Sequence, residues 1–364
     1  MYRSRKHVIN NEQIPLGTFL VPSSADGIGP AASHHDFRYI IANAHVSRGS
    51  FSIHILPNPT KLTAMPPTIL IVGATGNTGR SVVQTLPHLL QSSKELANHR
   101  VLGLTRSLKS YAAQELARLP HVEMVEYDWT AIDATWLRER RESGFYVALL
   151  EAGVKYVVKV LTNPKYVSPT NPVYYGRAHW AIETLLSQPE FAELQWTSLQ
   201  PNYFTRMYLA SAAEWVKQYR KTGNSQEVFK TNLEADQAVA MLDPEDVGSV
   251  GAHLLALDDP SQHNRARYVL SGPEDLTGEQ LVALIEKYAG VTVANTEFKD
   301  VSWIDELSKT GGYPEKVLAS IRAGCIPLWT GACSVYAMPT SADIIELAAP
   351  RRTPEVAFDA LLKA

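Results

Sequence analysis

The chain is poor in cysteine: of its 364 residues, only Cys325 and Cys333 carry a thiol. Two thiols build neither a disulfide framework nor a cysteine-rich metal centre, and such scarcity suits a reducing compartment. Long apolar runs are missing too, since no stretch approaches the ~20 residues of a membrane-spanning helix. An excess of charge of one sign is also lacking. The formal net charge is −3, which removes the global electrostatic case for a nucleic-acid or acidic-membrane partner. What remains is ordinary for a folded chain: 45% hydrophobic and 20% charged residues, enough for one large or two modest units with a sizeable core. A cytoplasmic protein without a metal site is expected.

Residues 1–65 differ from the rest. They carry scattered histidines (His7, His34, His35, His45, His54), many Ser, Pro and Gly, and one strand-like run, Phe51 to Leu56. Such composition reads as a poorly ordered extension. A targeting peptide competes, because Arg3, Arg5 and Lys6 open the chain, but Pro15, Gly17, Pro22 and Gly27 interrupt any amphipathic helix.

From Thr68 the pattern changes. Thr68-Ile69-Leu70-Ile71-Val72 is a continuous apolar run, as a buried parallel strand requires. Gly73-Ala74-Thr75-Gly76-Asn77-Thr78-Gly79 follows at once, and a helix begins after it. Glycines spaced in this way between strand and helix let bare backbone N–H groups meet a pyrophosphate at the positive end of the helix. Further strands are expected at Val101–Leu104, Val122–Tyr127, Lys155–Leu161, Gln195–Leu199 and Arg267–Leu270, with helices between them. That alternation predicts an α/β fold, a Rossmann-type doubly wound parallel sheet. Beyond Gly272 the chain turns mostly helical. The expected division is a dinucleotide-binding domain over 66–202 and 238–271, and a smaller, mostly helical substrate or cap domain over 203–237 and 272–364.

The end of the second strand selects the dinucleotide. An acid there would bind the ribose hydroxyls and repel a 2′-phosphate. The sequence instead reads Leu104-Thr105-Arg106-Ser107, and the Arg106 fork suits a phosphate. NADP(H) is therefore the expected cofactor. After the third strand, Asp128 and Trp129 fall where side chains flank the adenine.

The phosphate loop, the Pro201-Asn202-Tyr203-Phe204 segment, the Asp246-Val247-Gly248 helix start and the Leu270-Ser271-Gly272-Pro273-Glu274 turn together resemble the NmrA-like family, atypical short-chain dehydrogenase/reductases. The resemblance runs from Thr68 to the C-terminus. It implies NADP(H) binding, a Rossmann core and a small substrate domain, with Pro201, Asn202, Tyr203 and Phe204 at the nicotinamide end. Members include reductases of small molecules and NADP-sensing regulators that act through a protein partner, so catalysis and sensing both stay open. Catalytic relatives use a Tyr to move the proton, a Lys four residues on, and an upstream Ser or Thr. Thr162, Tyr175 and His179 hold those positions here, with His in place of Lys. A neutral His does not supply a fixed positive charge.

The count between the third strand and the Lys155 strand is short. Asp128 to Gly153 spans about 25 residues, where a helix, a strand and a second helix need about 35–45. The usual fourth strand, which in relatives sits beside the first, is therefore expected to be absent. The Lys155 strand is expected to slide in beside the first, leaving Thr162 misplaced and the triad distorted.

Overall fold

A computed structural model describes residues 37–41, 67–127, 142–151, 153–223, 228–309 and 314–363. The Phe51–Leu56 run, the His34-His35 pair, Asp128 and Trp129 lie outside the described residues.

A seven-stranded parallel sheet organises the fold. Its strands are β1 (Phe37–Ile41), β2 (Thr68–Val72), β3 (Arg100–Thr105), β4 (Val122–Glu126), β5 (Val154–Val160), β6 (Gln195–Pro201) and β8 (Ala266–Leu270), in the order β4-β3-β2-β1-β5-β6-β8. A short parallel pair, β7 (Phe229–Lys230) with β9 (Thr296–Glu297), lies apart from it. Continuous apolar sequence explains the middle of the large sheet: β2 and β5 are buried along nearly their whole length, as strands covered on both faces must be.

Helices α1 (Asn77–Ser92) and α6 (Pro244–Leu255) cover one face, and their side chains join Ile69, Ile71, Val158 and Val160 in one apolar core. Helices α3 (Glu142–Glu151) and α4 (Tyr174–Leu186) flank the other, around Tyr146, Val157, Ile182 and Trp196. Helix α2 (Tyr111–Leu116) links β3 to β4. Asp243 caps α6 by accepting from the Glu245 N–H at 2.8 Å, with Pro244 in the first turn. Within α6, Gly248 lies against the phosphate-loop helix; a Cβ there would come 2.5 Å from both the Thr78 carbonyl oxygen and Ser81 Cβ. Close packing of α6 on α1 therefore depends on that glycine.

A third core gathers α5 (Thr205–Thr222), α7 (Gly278–Ala289), α8 (Ser302–Lys309), α9 (Glu315–Ala323) and α11 (Pro354–Lys363). Helix α10 (Ala342–Ala348) instead packs Ile344 into the sheet core.

One expectation is corrected. The sheet is not a strand narrower, and the Lys155 strand does not pair with the phosphate-loop strand. A strand from the region read as a poorly ordered extension lies between them. β1 pairs Ile41 with Val72 on one side and with Lys159 on the other. The physical reason is that two buried strand edges need partners for their backbone groups. The segment between β4 and β5 contributes α3 and, among the described residues, no strand.

Candidate functional site

The sheet's carboxyl ends gather the predicted residues. The β2–α1 turn begins at Gly73, held at φ 69°, in the left-handed region where a side chain is strained. The turn closes with the Gly76 N–H donating to the Gly73 carbonyl at 2.9 Å. A Cβ on Gly79 would come within 2.2 Å of that same carbonyl oxygen. The Ala74 N–H donates to the Leu104 carbonyl at 3.1 Å, and the Thr75 and Thr105 hydroxyls are 3.3 Å apart. The phosphate loop is thereby fastened to the end of β3, where Arg106 follows, exposed. Gly76 and Asn77 are exposed, while Thr78 and Gly79 are buried beneath them.

The second cluster follows β5. Tyr175 lies in the first turn of α4, near the Thr162 hydroxyl. The strand slip behind the expected distortion does not occur: β1 keeps β5 two places from β2, and Thr162 stands near Tyr175. Tyr175 is 37% exposed, and desolvation of its partly covered hydroxyl pushes it up to about 12; Cys325 adds to the shift and Thr162 opposes it. Gly324 closes over the same hydroxyl, since a Cβ there would lie 3.3 Å from it. His179 sits one turn further along α4. Burial, reinforced by the charge of Lys159, lowers it to about 3, and its buried Nδ1 has no hydrogen-bond partner among the described residues. Lys159, on β5, is 2% exposed, with its ammonium 5.6 Å from the Tyr146 ring centre.

Beside this cluster lies a buried polar lattice. Asn202 donates to Ser271 Oγ at 3.0 Å and to the Cys333 carbonyl at 2.9 Å. Its Oδ1 accepts from Asn163 Nδ2 and the Tyr203 N–H, each at 3.0 Å. The Tyr166 and Tyr203 hydroxyls meet, and both donate to the Gly324 carbonyl, at 2.5 and 2.8 Å. Burial raises both tyrosines well above the ordinary range. Pro201 is buried at the end of β6, and Phe204 bridges to Leu242. This segment ties the sheet to the C-terminal helices.

An open groove of about 630 Å³ runs past Pro164 and Lys165, lined also by Val269, Met338, Pro339 and Ala342. Trp329 packs with the C-terminal core and donates to the Asn232 carbonyl at 2.8 Å, whereas Tyr336 is 96% exposed. Among the described residues there is no group of three or more His, Cys, Asp or Glu able to hold a metal ion, and no helix long and apolar enough to cross a membrane.

Sequence reasoning missed Lys159, Tyr166 and Gly324. A lysine in the apolar run Val154 to Val160 was the available signal for the first. Gly324 comes from far along the chain and leaves no local pattern.

No protein-family model matches the chain, and no curated protein matches it. Solved structures do. The chain has a Rossmann-type α/β fold with a helical C-terminal region, the fold of the solved structures that follow. An NADPH-dependent quinone oxidoreductase from Escherichia coli superposes with a TM-score of 0.55 at 20% identity, covering 80% of this chain and 98% of that one. The Citrobacter sp. triphenylmethane reductase complexed with NADP(H) gives 0.55 at 17% identity, over 80% and 99%. NmrA, a negative transcriptional regulator solved in complex with NAD, gives 0.51 at 15% identity, over 82% and 91%.

Proposed function

We propose that the chain is an NmrA-like oxidoreductase that uses NADP(H) to reduce a small organic molecule, in a biosynthetic setting and in the cytoplasm. The observation that carries the reading is that Thr162 follows β5 at the same sheet end as the phosphate loop and stands near Tyr175, with His179 one turn further along α4. The residues present fit the dinucleotide. The turn at Gly79 is a cradle that a Cβ would fill, and His179 Nδ1 is buried with no partner among the described residues. Gly73, Thr75, Gly76, Asn77, Thr78 and Gly79 would hold the pyrophosphate, Arg106 the 2′-phosphate, and Asp128 and Trp129 the adenine. His179 would meet the nicotinamide ribose, with Pro201, Asn202, Tyr203 and Phe204 behind it. Asn202 would act there through the lattice it fixes, because its amide is fully engaged.

The bound dinucleotide supplies a hydride. Tyr175 supplies the proton: its hydroxyl, protonated at neutral pH, donates to the substrate oxygen while Thr162 orients it. With hydride from the dinucleotide and the proton from Tyr175, a carbonyl substrate would become an alcohol. The groove beside Pro164 suits a largely apolar substrate. We also assign the cofactor-binding part to 66–202 and 238–271 together with β1, and the cap to 203–237 and 272–364. Most apolar side chains of the cap gather in one core, which Tyr166, Val173, Val239 and Met241 also enter, while α10 packs Ile344 on the sheet side.

A second reading, a redox-sensing regulator acting through a protein partner, is favoured by His179 standing where catalytic relatives carry Lys and by a Tyr175 hydroxyl raised to about 12. NADPH oxidation monitored across quinones and small carbonyl compounds separates the two. Turnover that Tyr175→Phe abolishes supports the enzyme, whereas tight NADP(H) binding without turnover supports the sensor.

A further inference from the structure

We infer that the slot between β2 and β5 is an acceptor site for an extended segment, and that Phe37–Ile41 is its occupant and sets the width of the dinucleotide site. The register carries the first half. All five residues pair in parallel with Thr68–Val72, and the same five pair with β5 from Val154 to Lys159. Both neighbours are buried, so water cannot satisfy the backbone groups that face the slot. The chain between β4 and β5 gives, among the described residues, only α3. Reach is no obstacle. Residues 42–67 must return across one five-residue strand, a span of roughly 17 Å, well within an extended chain of that length.

The second half rests on the proposed NADP(H) reading. The phosphate loop follows β2, and Thr162 follows β5. With β1 between them, the two halves of the site stand two strand spacings apart, roughly 10 Å; without it they would stand about 5 Å apart. An extended dinucleotide laid across the sheet needs the wider spacing. Ile41 ends level with Val72 and Lys159, at the rim of the site. Phe37–Ile41 is therefore a spacer, joined to the fold from outside the sequence pattern of the Rossmann core.

Hydrogen exchange on the full-length chain tests this. Amides of Phe37–Ile41 should exchange at least 100-fold more slowly than a free peptide of the same residues. Tyr39→Pro, which removes a donor in mid-ladder, should speed exchange at 68–72 and 154–160 by tenfold or more. Free-peptide exchange at 37–41 with β2 and β5 still protected would overturn the proposal, as would Tyr39→Pro leaving both strands unchanged. Saturating NADP⁺ should slow exchange at 37–41 several-fold further. Binding of NADP⁺ with no such slowing overturns the spacer role. Protection at 37–41 in a chain that binds no NADP⁺ supports the acceptor slot and overturns the cofactor reading alone.

Discussion

Gly79→Ala offers a sharp perturbation, because every atom it would strike is backbone. The new Cβ would lie 2.2 Å from the Gly73 carbonyl oxygen, 2.8 Å from its carbon and 3.1 Å from Ala74 Cα. No side chain is there to swing aside, so the first turn of α1 has to withdraw from the loop by roughly 1 Å. Overpacking of this kind costs about 1–3 kcal/mol, which lowers the melting temperature by a few degrees. The same withdrawal moves the N–H groups that would face the pyrophosphate. Losing one charge-assisted hydrogen bond is worth about 1.5–3 kcal/mol, roughly a 10- to 100-fold weaker Kd. Gly76→Ala is the internal comparison. Its Cβ would meet only the Gly73 carbonyl oxygen, at 3.2 Å, and the residue is exposed. It should therefore change the melting temperature little while still weakening NADP⁺ binding. Isothermal titration and thermal melts of both variants decide the matter. A Gly79→Ala protein with parental stability and parental affinity would refute the account of the loop.

Arg106→Ala should weaken NADP⁺ by about tenfold or more and leave NAD⁺ nearly unchanged, as loss of a charged hydrogen bond to one phosphate requires. Equal losses for the two dinucleotides in parallel titrations would remove Arg106 from the 2′-phosphate. Tyr175→Phe should lower kcat for NADPH oxidation by about 10²–10⁴-fold with little change in the Kd for NADPH; unaltered turnover would exclude Tyr175 as the proton donor. His179 stands at about 3 in the folded chain against ~6.5 unfolded. Between those values the unfolded chain holds the extra proton, so this contribution is complete above pH 6.5 and declines as pH falls toward 3. Between pH 7 and pH 5 the parental protein should lose roughly 1–2 kcal/mol more than His179→Asn in urea melts. Parallel pH profiles would contradict a neutral buried His179.

What could be read from the sequence was what local pattern encodes. Thr68–Val72, the glycine turn and the helix after it are contiguous, so strand, loop and helix announce one another. Thr162 and Tyr175 were legible for a related reason: a strand end and the next helix start face each other across a short connection. The lattice around Asn202 was less so, because an amide that binds a ligand and one that binds Ser271 and Cys333 are the same residue type in sequence. Lys159 was hidden likewise, a charge in an apolar run whose neighbour His179 is supplied by another element. Phe37–Ile41 is the extreme case. Phe37-Arg38-Tyr39-Ile40-Ile41 is rich in strand formers, but so short a run in an otherwise aperiodic stretch does not say which sheet it joins; the slot built by β2 and β5 decides that. The shortage of residues between β4 and β5 showed that a strand was missing there, but a count along the chain does not say where its replacement comes from. Unpaired edges at the centre of a sheet cost more than a long loop closure, which grows only slowly with length. That inequality is why the sheet recruits a distant segment instead of closing its gap, and why the Thr162–Tyr175 geometry survives the shortened connection.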